Sequence, residues 1–270
     1  MIQQERDGVI YFEFESFGGN GRIQHAIFSR QGGVSRPPHD SLNLSVSVPD
    51  DKTAVYANRA KAFGLFGRQN DTVVHAHLVH GNDVARVTQA NNGTWMEYFD
   101  ALITNEPGCA LTMNYADCTP IFLYDPVQEA IGLGHAGWKG AVVDLPGAMV
   151  RAMQEQFGTD PADLRAGIGP CISWANYEVD EPLVSEVKAA FADWKTLLMR
   201  PVRNGNGRYH FDLPEANRRN LLRAGVQKIE LSGFCTAERT DLFFSHRAEK
   251  GQTGRFGSIF VLLPEGESEK

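Results

Sequence analysis

Residues 110–135 read ALTMNYADCTPIFLYDPVQEAIGLGH, and this stretch sets the fold class. Ala110 to Asn114 and Ile121 to Tyr124 are short runs rich in β-branched and aromatic residues, the composition of strands. Pro120 fixes a turn beside Cys118. Under period-two alternation Ile131, Leu133 and His135 share one face of a third strand, so an apolar face ends on a histidine just before Gly137 and Gly140. Working outward, Val9 to Phe14, Arg22 to Phe28 and Thr72 to Val79 carry the same strand signal. In the last of these, Val74, Ala76, Leu78 and His80 fall on one face and His75, His77 and Val79 on the other.

Helical spacing takes over elsewhere. Leu183, Val184, Val187, Phe191, Trp194 and Leu198 recur at three- and four-residue intervals, which predicts a helix from Glu181 to Met199 with Asp180 as N-cap and Pro182 in its first turn. Further helices are expected over Lys52 to Phe66 after the acidic pair Asp50 and Asp51, over Pro146 to Phe157 before Gly158, and over Pro214 to Ala224 with Asp212 as cap and Gly225 as stop. Strands, then helices, then strands again to Phe260 predict an α+β protein with mixed β-sheets covered by helices. No repeat or linker divides the chain, so a single compact domain is expected over 1–264, followed by a polar C-terminal tail at 265–270.

The 270 residues carry 33 acidic and 26 basic side chains, a formal net charge of -7, with 42% hydrophobic and 22% charged residues. That is ordinary globular usage and argues against disorder or coiled coil. A negative balance argues against a nucleic acid polymer as partner, which needs clustered Lys and Arg. No apolar run approaches a membrane span and the start has no secretory pattern, so a cytoplasmic protein with a small-molecule partner is expected. The four cysteines, Cys109, Cys118, Cys171 and Cys235, form no CxxC pair. A special cysteine here is a metal ligand or a nucleophile rather than half of a disulfide framework.

Three segments join metal-capable residues to loop signals: His77 to Gly81, Tyr115 to Pro120 and Gly134 to Gly140. If the strand ends converge, His80, Cys118 and His135 give zinc three protein ligands and leave a fourth position open, the pattern of a catalytic site. Each also has a plainer reading, the histidines as hydrogen-bonded structural residues, Cys118 as a small buried hydrophobe and Asp117 as a turn cap.

The strings HAIFSRQGGVS, SLNL, NRAKAF, VHGNDV, DALIT, YADCTPIFLYD, GHAGWKG, GIGPCI, FCTAERTDLFFSHR and TGR, in this order over about residues 25–263, resemble the laccase-domain family. Its members have been called polyphenol oxidoreductases and, later, purine nucleoside phosphorylases with adenosine deaminase activity. The resemblance places the family's catalytic-zinc ligands on His80, Cys118 and His135. Leu78 stands where the family usually has Gln, and Lys139 where Arg is common, which keeps charge but gives up bidentate recognition.

The activity so implied is phosphorolysis: adenosine, inosine or methylthioadenosine plus phosphate gives the base and ribose 1-phosphate. Such a reaction needs an anion site and a donor for charge developing on the purine. Arg59, Arg247 and Arg255, with Asn43, are the expected phosphate or substrate contacts, each with an ion-pair alternative. Asp117 is the expected proton-handling residue for deamination, and Cys118 is counted with it as catalytic. His246 as a fourth ligand would close the metal site. Gly167, Gly169 and Pro170 read as a structural turn, and Cys171 and Cys235 as packed thiols. Two other readings stay open. A copper-dependent polyphenol oxidase needs closely spaced histidines around a cysteine, and the chain offers only His75-Ala-His77. An amide hydrolase editing peptidoglycan precursors would use Cys118 as nucleophile and His135 as base. A non-catalytic binding module has little use for an open three-ligand site.

Overall fold

The computed structural model describes residues 1–18, 21–199 and 208–266. Two large sheets face each other. One is antiparallel throughout, with strands in the order Ile2–Arg6, Val9–Glu13, Ile23–Phe28, Phe256–Leu262, Ala110–Tyr115. The other runs Lys228–Leu231, Arg165–Ile168, Thr119–Asp125, Ala130–Ala136, Ala101–Thr104, Val84–Arg86, antiparallel in its centre and parallel at both edges. The mixed pairing expected from the sequence is therefore present.

Alternation explains the layers. On Ala130–Ala136, Ile131 and Leu133 enter the core between the sheets, where Phe12, Phe122 and Phe260 also meet. Each such fully buried phenylalanine contributes about 1.5–3 kcal/mol. Ala130 and Ala136 face the other way, onto helices α3 (Leu145–Phe157) and α5 (Leu213–Arg223) through Met149, Val150, Met153 and Leu221. Gly134 lies on this outer face because a Cβ there would come within 2.5 Å of Met149 Sδ. Helix α1 (Lys52–Gly64) covers the outer face of the antiparallel sheet with Ala62 and Phe63, against Leu42, Leu44 and Ile259. A short helix α2 (Trp138–Val142) follows the central strand.

The end and start signals hold for three helices. Asp51 caps α1 by accepting from Thr53 N, Asp212 caps α5 by accepting from Glu215 N, and Gly158 ends α3 at φ 75°. The helix expected over Glu181 to Met199 is shorter. Helix α4 spans Glu181–Ala190 and Asp180 makes no side-chain cap bond. Phe191 turns extended, a 3-10 turn covers Trp194–Thr196, and Leu198–Met199 joins a three-stranded sheet with Tyr209–Phe211 and Glu178–Val179. The apolar spacing had registered burial, since all six residues belong to one core cluster or pack against it. The strand expected over Thr72 to Val79 is only His75–His77, paired in parallel with Trp95–Glu97. Of the tail at 265–270, residues 267–270 lie outside the described residues. No helix among the described residues is long and apolar enough to cross a membrane.

Candidate functional site

The turn holding Cys118 carries the chain from one large sheet to the other, between Ala110–Tyr115 and Thr119–Asp125. His135 continues the inward face of Ile131 and Leu133, so it emerges at the edge of the core between the sheets, with Tyr115 stacked on its ring at 5.6 Å. His80 comes from the loop after His75–His77 and meets His135 edge to face, ring centroids 5.0 Å apart. The ligand atoms of His80, Cys118 and His135 all lie within 4.8 Å of one another. One ion bonding nitrogen and sulfur at about 2.0–2.3 Å would draw these three atoms closer together.

Backbone geometry supports this convergence. His80 and Asp117 adopt φ of 64° and 78°, in the left-handed region that both residue types tolerate better than most. Gly137 closes the cluster from below, because a Cβ there would lie 2.8 Å from Cys118 Sγ and 3.6 Å from His80 Cδ2. Two imidazoles, one thiolate-forming sulfur and a glycine that leaves them room are the donor set and space a divalent metal requires.

Asp100, fully buried, ties two ligands together. Its Oδ2 accepts from Val79 N at 3.1 Å and Gly81 N at 2.7 Å, on either side of His80, and its Oδ1 sits 3.3 Å from His135 Nδ1. His135 is thereby fixed with Nε2 free to ligate. Burial alone would raise the Asp100 carboxyl, but its bonds with His135 and the loop amides outweigh that and hold it below the usual range. Burial likewise works against a charged Cys118, yet the adjacent His135 and His80 draw the thiol down, and Cys118 and Asp100 draw His135 up.

The cluster opens into a cleft of about 540 Å³, within the usual range for small-molecule sites. Apolar residues of its lining include Leu78, Trp138, Ile172 and Leu213, and polar ones include Ser45, Ser47, Asn114, His246, Arg247 and Arg255. Arg247 and Arg255 thus both line the cleft that the cluster opens into. Arg247 Nη1 donates to Glu178 O, and Arg255 Nη1 to Thr253 O and Gly254 O, which aims both guanidinium groups. His246 lines the cleft outside the three-ligand cluster.

Asn43 and Arg59 do not line it. Arg59 is 1% exposed and donates to Leu44 O and Asn70 Oδ1, and Asn43 accepts from Ser45 N and Arg255 N while donating to Asp50 Oδ2. Both residues hold the loop that presents Ser45 and Ser47. Those two serines were missed, although they follow directly on the quoted SLNL. Asp117 does line the cleft, but Oδ1 accepts from Thr236 and Ser245 hydroxyls at 2.6 and 2.7 Å and Oδ2 from Arg247 N at 2.7 Å. With three of its roughly four acceptor sites so engaged, Asp117 fastens the loops around Cys118. Gly167, expected in a turn, lies within the strand Arg165–Ile168 and packs under Phe14, where a Cβ would clash at 2.5 Å, while Cys171 and Cys235 are buried free thiols as expected.

Residues 24–263 match the family model described as multi-copper polyphenol oxidoreductase laccase. The chain is 37% identical over 254 residues to the purine nucleoside phosphorylase YlmD of Bacillus subtilis, covering 90% of each, and 37% identical to a purine nucleoside phosphorylase of Deinococcus radiodurans, covering 93% of each. Its fold is similar to the crystal structure of YlmD from Geobacillus stearothermophilus, with a TM-score of 0.87 at 32% identity over 97% of this chain and 98% of that one. The Bacillus licheniformis hypothetical protein YfiH superposes as closely, with a TM-score of 0.88 at 30% identity over 96% and 98% of the two chains.

Proposed function

This chain belongs to the multi-copper polyphenol oxidoreductase laccase family, and from that membership and the cleft we propose that it is a zinc-dependent purine nucleoside phosphorylase with adenosine deaminase activity. The observation that carries the proposal is one cleft that joins the His80, Cys118 and His135 cluster to Ser45, Ser47, Arg247 and Arg255. Relatives at this level of identity are named for phosphorolysis, and the lining suits it. Arg255 and Arg247 offer the positive charge that inorganic phosphate needs, with serine hydroxyls as further donors. The apolar lining suits the flat purine of adenosine, inosine or methylthioadenosine. When bound, the zinc would supply Lewis acidity, both for replacing the adenine amino group and for the negative charge that builds on the base as it leaves. Cys118 and the two histidines would hold it, and Asp100 keeps His135 oriented.

The chemistry in the cleft is attack of a phosphate oxygen on C1′ as the bond to the purine nitrogen breaks, with the electron pair leaving on the base. Phosphate brought as dihydrogen phosphate provides the proton the free purine acquires. Free cysteines suit a reducing compartment, and we place the enzyme in the cytoplasm.

A copper-dependent phenol oxidase is less well supported by these residues. Among the described residues one metal-capable cluster is present, and His75 and His77 are stacked on Trp95 with His77 bound to Glu97 at 2.8 Å. The Cys-nucleophile reading draws on a specific observation, the series Cys118, His135, Asp100 with the thiol drawn down. One product screen separates the three: adenosine, inosine and methylthioadenosine with and without phosphate, beside a phenol and a peptide amide. The expected result is base plus ribose 1-phosphate only when phosphate is present, and inosine from adenosine without it. Zinc-replete protein inert to all three nucleosides would end the phosphorylase reading, and chelator-resistant amide cleavage would put the hydrolase in its place.

A further inference from the structure

Tyr177 lies in the segment between the strand Arg165–Ile168 and α4, and it lines the cleft. Its backbone is pinned, with Tyr177 O accepting from Phe211 N at 3.0 Å. Its ring is held by Phe211, centroids 6.0 Å apart, and by the Arg247 guanidinium 5.1 Å from its centroid. Arg247 is itself anchored at Glu178 O and, through its backbone N–H, at Asp117 Oδ2. All this fixes the ring while the hydroxyl has no hydrogen-bond partner among the described residues. That hydroxyl is not one of the buried polar atoms shut off from solvent, so it stands open to water or to a ligand. A phenol braced so firmly and left unpaired toward a cleft is a donor awaiting a ligand.

The cleft's lining indicates which part of the ligand. Tyr177 shares its core cluster with Trp138, Ile172 and Leu213, apolar residues of the lining, and its ring also packs on Arg247, which with Ser45, Ser47 and Arg255 supplies the anion-binding groups, so the phenol stands where the apolar and the charged lining meet. We propose that the Tyr177 hydroxyl donates a hydrogen bond to the purine as it leaves, stabilising the negative charge that gathers on the ring when the bond to C1′ breaks. The phenol keeps its proton, since the purine's own comes from dihydrogen phosphate. Burial first, and then the nearby Cys118 and Asp117, push the phenol above its ordinary range, so it stays a donor at any working pH. This role rests on the phosphorylase reading and adds a residue to it.

Tyr177→Phe removes the oxygen and keeps the ring against Phe211 and Arg247. With inosine and phosphate, kcat is expected to fall about 100-fold, as for loss of one transition-state donor, with KM changed less than about threefold. With 7-methylinosine, whose base leaves without accumulating negative charge, the same variant is expected to lose less than about fivefold. An unchanged melting temperature shows that the ring contacts persist. Equal losses on both nucleosides, or no loss on inosine, overturn the role of Tyr177 while leaving the phosphorylase reading standing. Wild-type protein that cleaves neither nucleoside overturns both.

Discussion

Asp100 is the residue on which the metal cluster's geometry turns, since one carboxylate holds the loop amides flanking His80 and the Nδ1 of His135. In Asp100→Asn, the amide oxygen must face Val79 N and Gly81 N, which leaves the NH₂ against His135 Nδ1. That contact favours the tautomer with its proton on Nε2, the nitrogen a metal needs. Zinc affinity is expected to drop about 10–100-fold, read by competition with a chromophoric chelator. Gly137→Ala should lose a similar factor by a steric route, because its Cβ meets Cys118 Sγ at 2.8 Å. Wild-type affinity in both variants would mean that neither contact shapes the site. His80, Cys118 and His135 were legible in the sequence because each stands where an apolar strand face ends or a turn begins. Asp100 was not, because it acts on a partner 35 positions away and nothing local marks an acid opening the run DALIT.

At the scale of elements, the irregular stretch between Phe28 and α1 is held by a helix side chain. Asn58 accepts from Val34 N and donates to Ser35 Oγ, Ser41 O and Asn43 O, all from the buried face of α1. Asn58→Ala orphans these groups, and a loss of about 2–4 kcal/mol is expected, lowering the melting temperature by roughly 5–12 °C. The phosphate KM should rise with it, because the same loop carries Ser45. A melting curve matching wild type would show that the loop holds itself. Helices α3 and α5 were readable to within a residue from apolar spacing and caps. Helix α4 was overrun because three- and four-residue spacing records which side chains are buried, and Phe191, Trp194 and Leu198 reach the same core from extended chain, a 3-10 turn and a strand. Spacing gives no sign either that Asn58 and Arg59, each 1% exposed, are buried. Long-range hydrogen bonding, invisible to periodicity, keeps them there.

The whole molecule is a pair of facing sheets with helices outside, and the site forms where the chain crosses from one sheet to the other. A protein of net charge -7 places both Arg247 and Arg255, against the single carboxylate Asp117, in the cleft that holds its metal-capable cluster. That local reversal of sign suits a small anion and not a polymer. In the proposed enzyme one metal, held by His80, Cys118 and His135, supports purine phosphorolysis. The most direct measurement of this is a zinc titration of chelator-stripped protein, following adenine release from adenosine in the presence of phosphate. Activity is expected to be absent at the start, to rise linearly and to level off at one zinc per chain, with Cys118→Ala neither binding zinc nor recovering. Full phosphorolysis by the stripped protein, or by the variant, would contradict it.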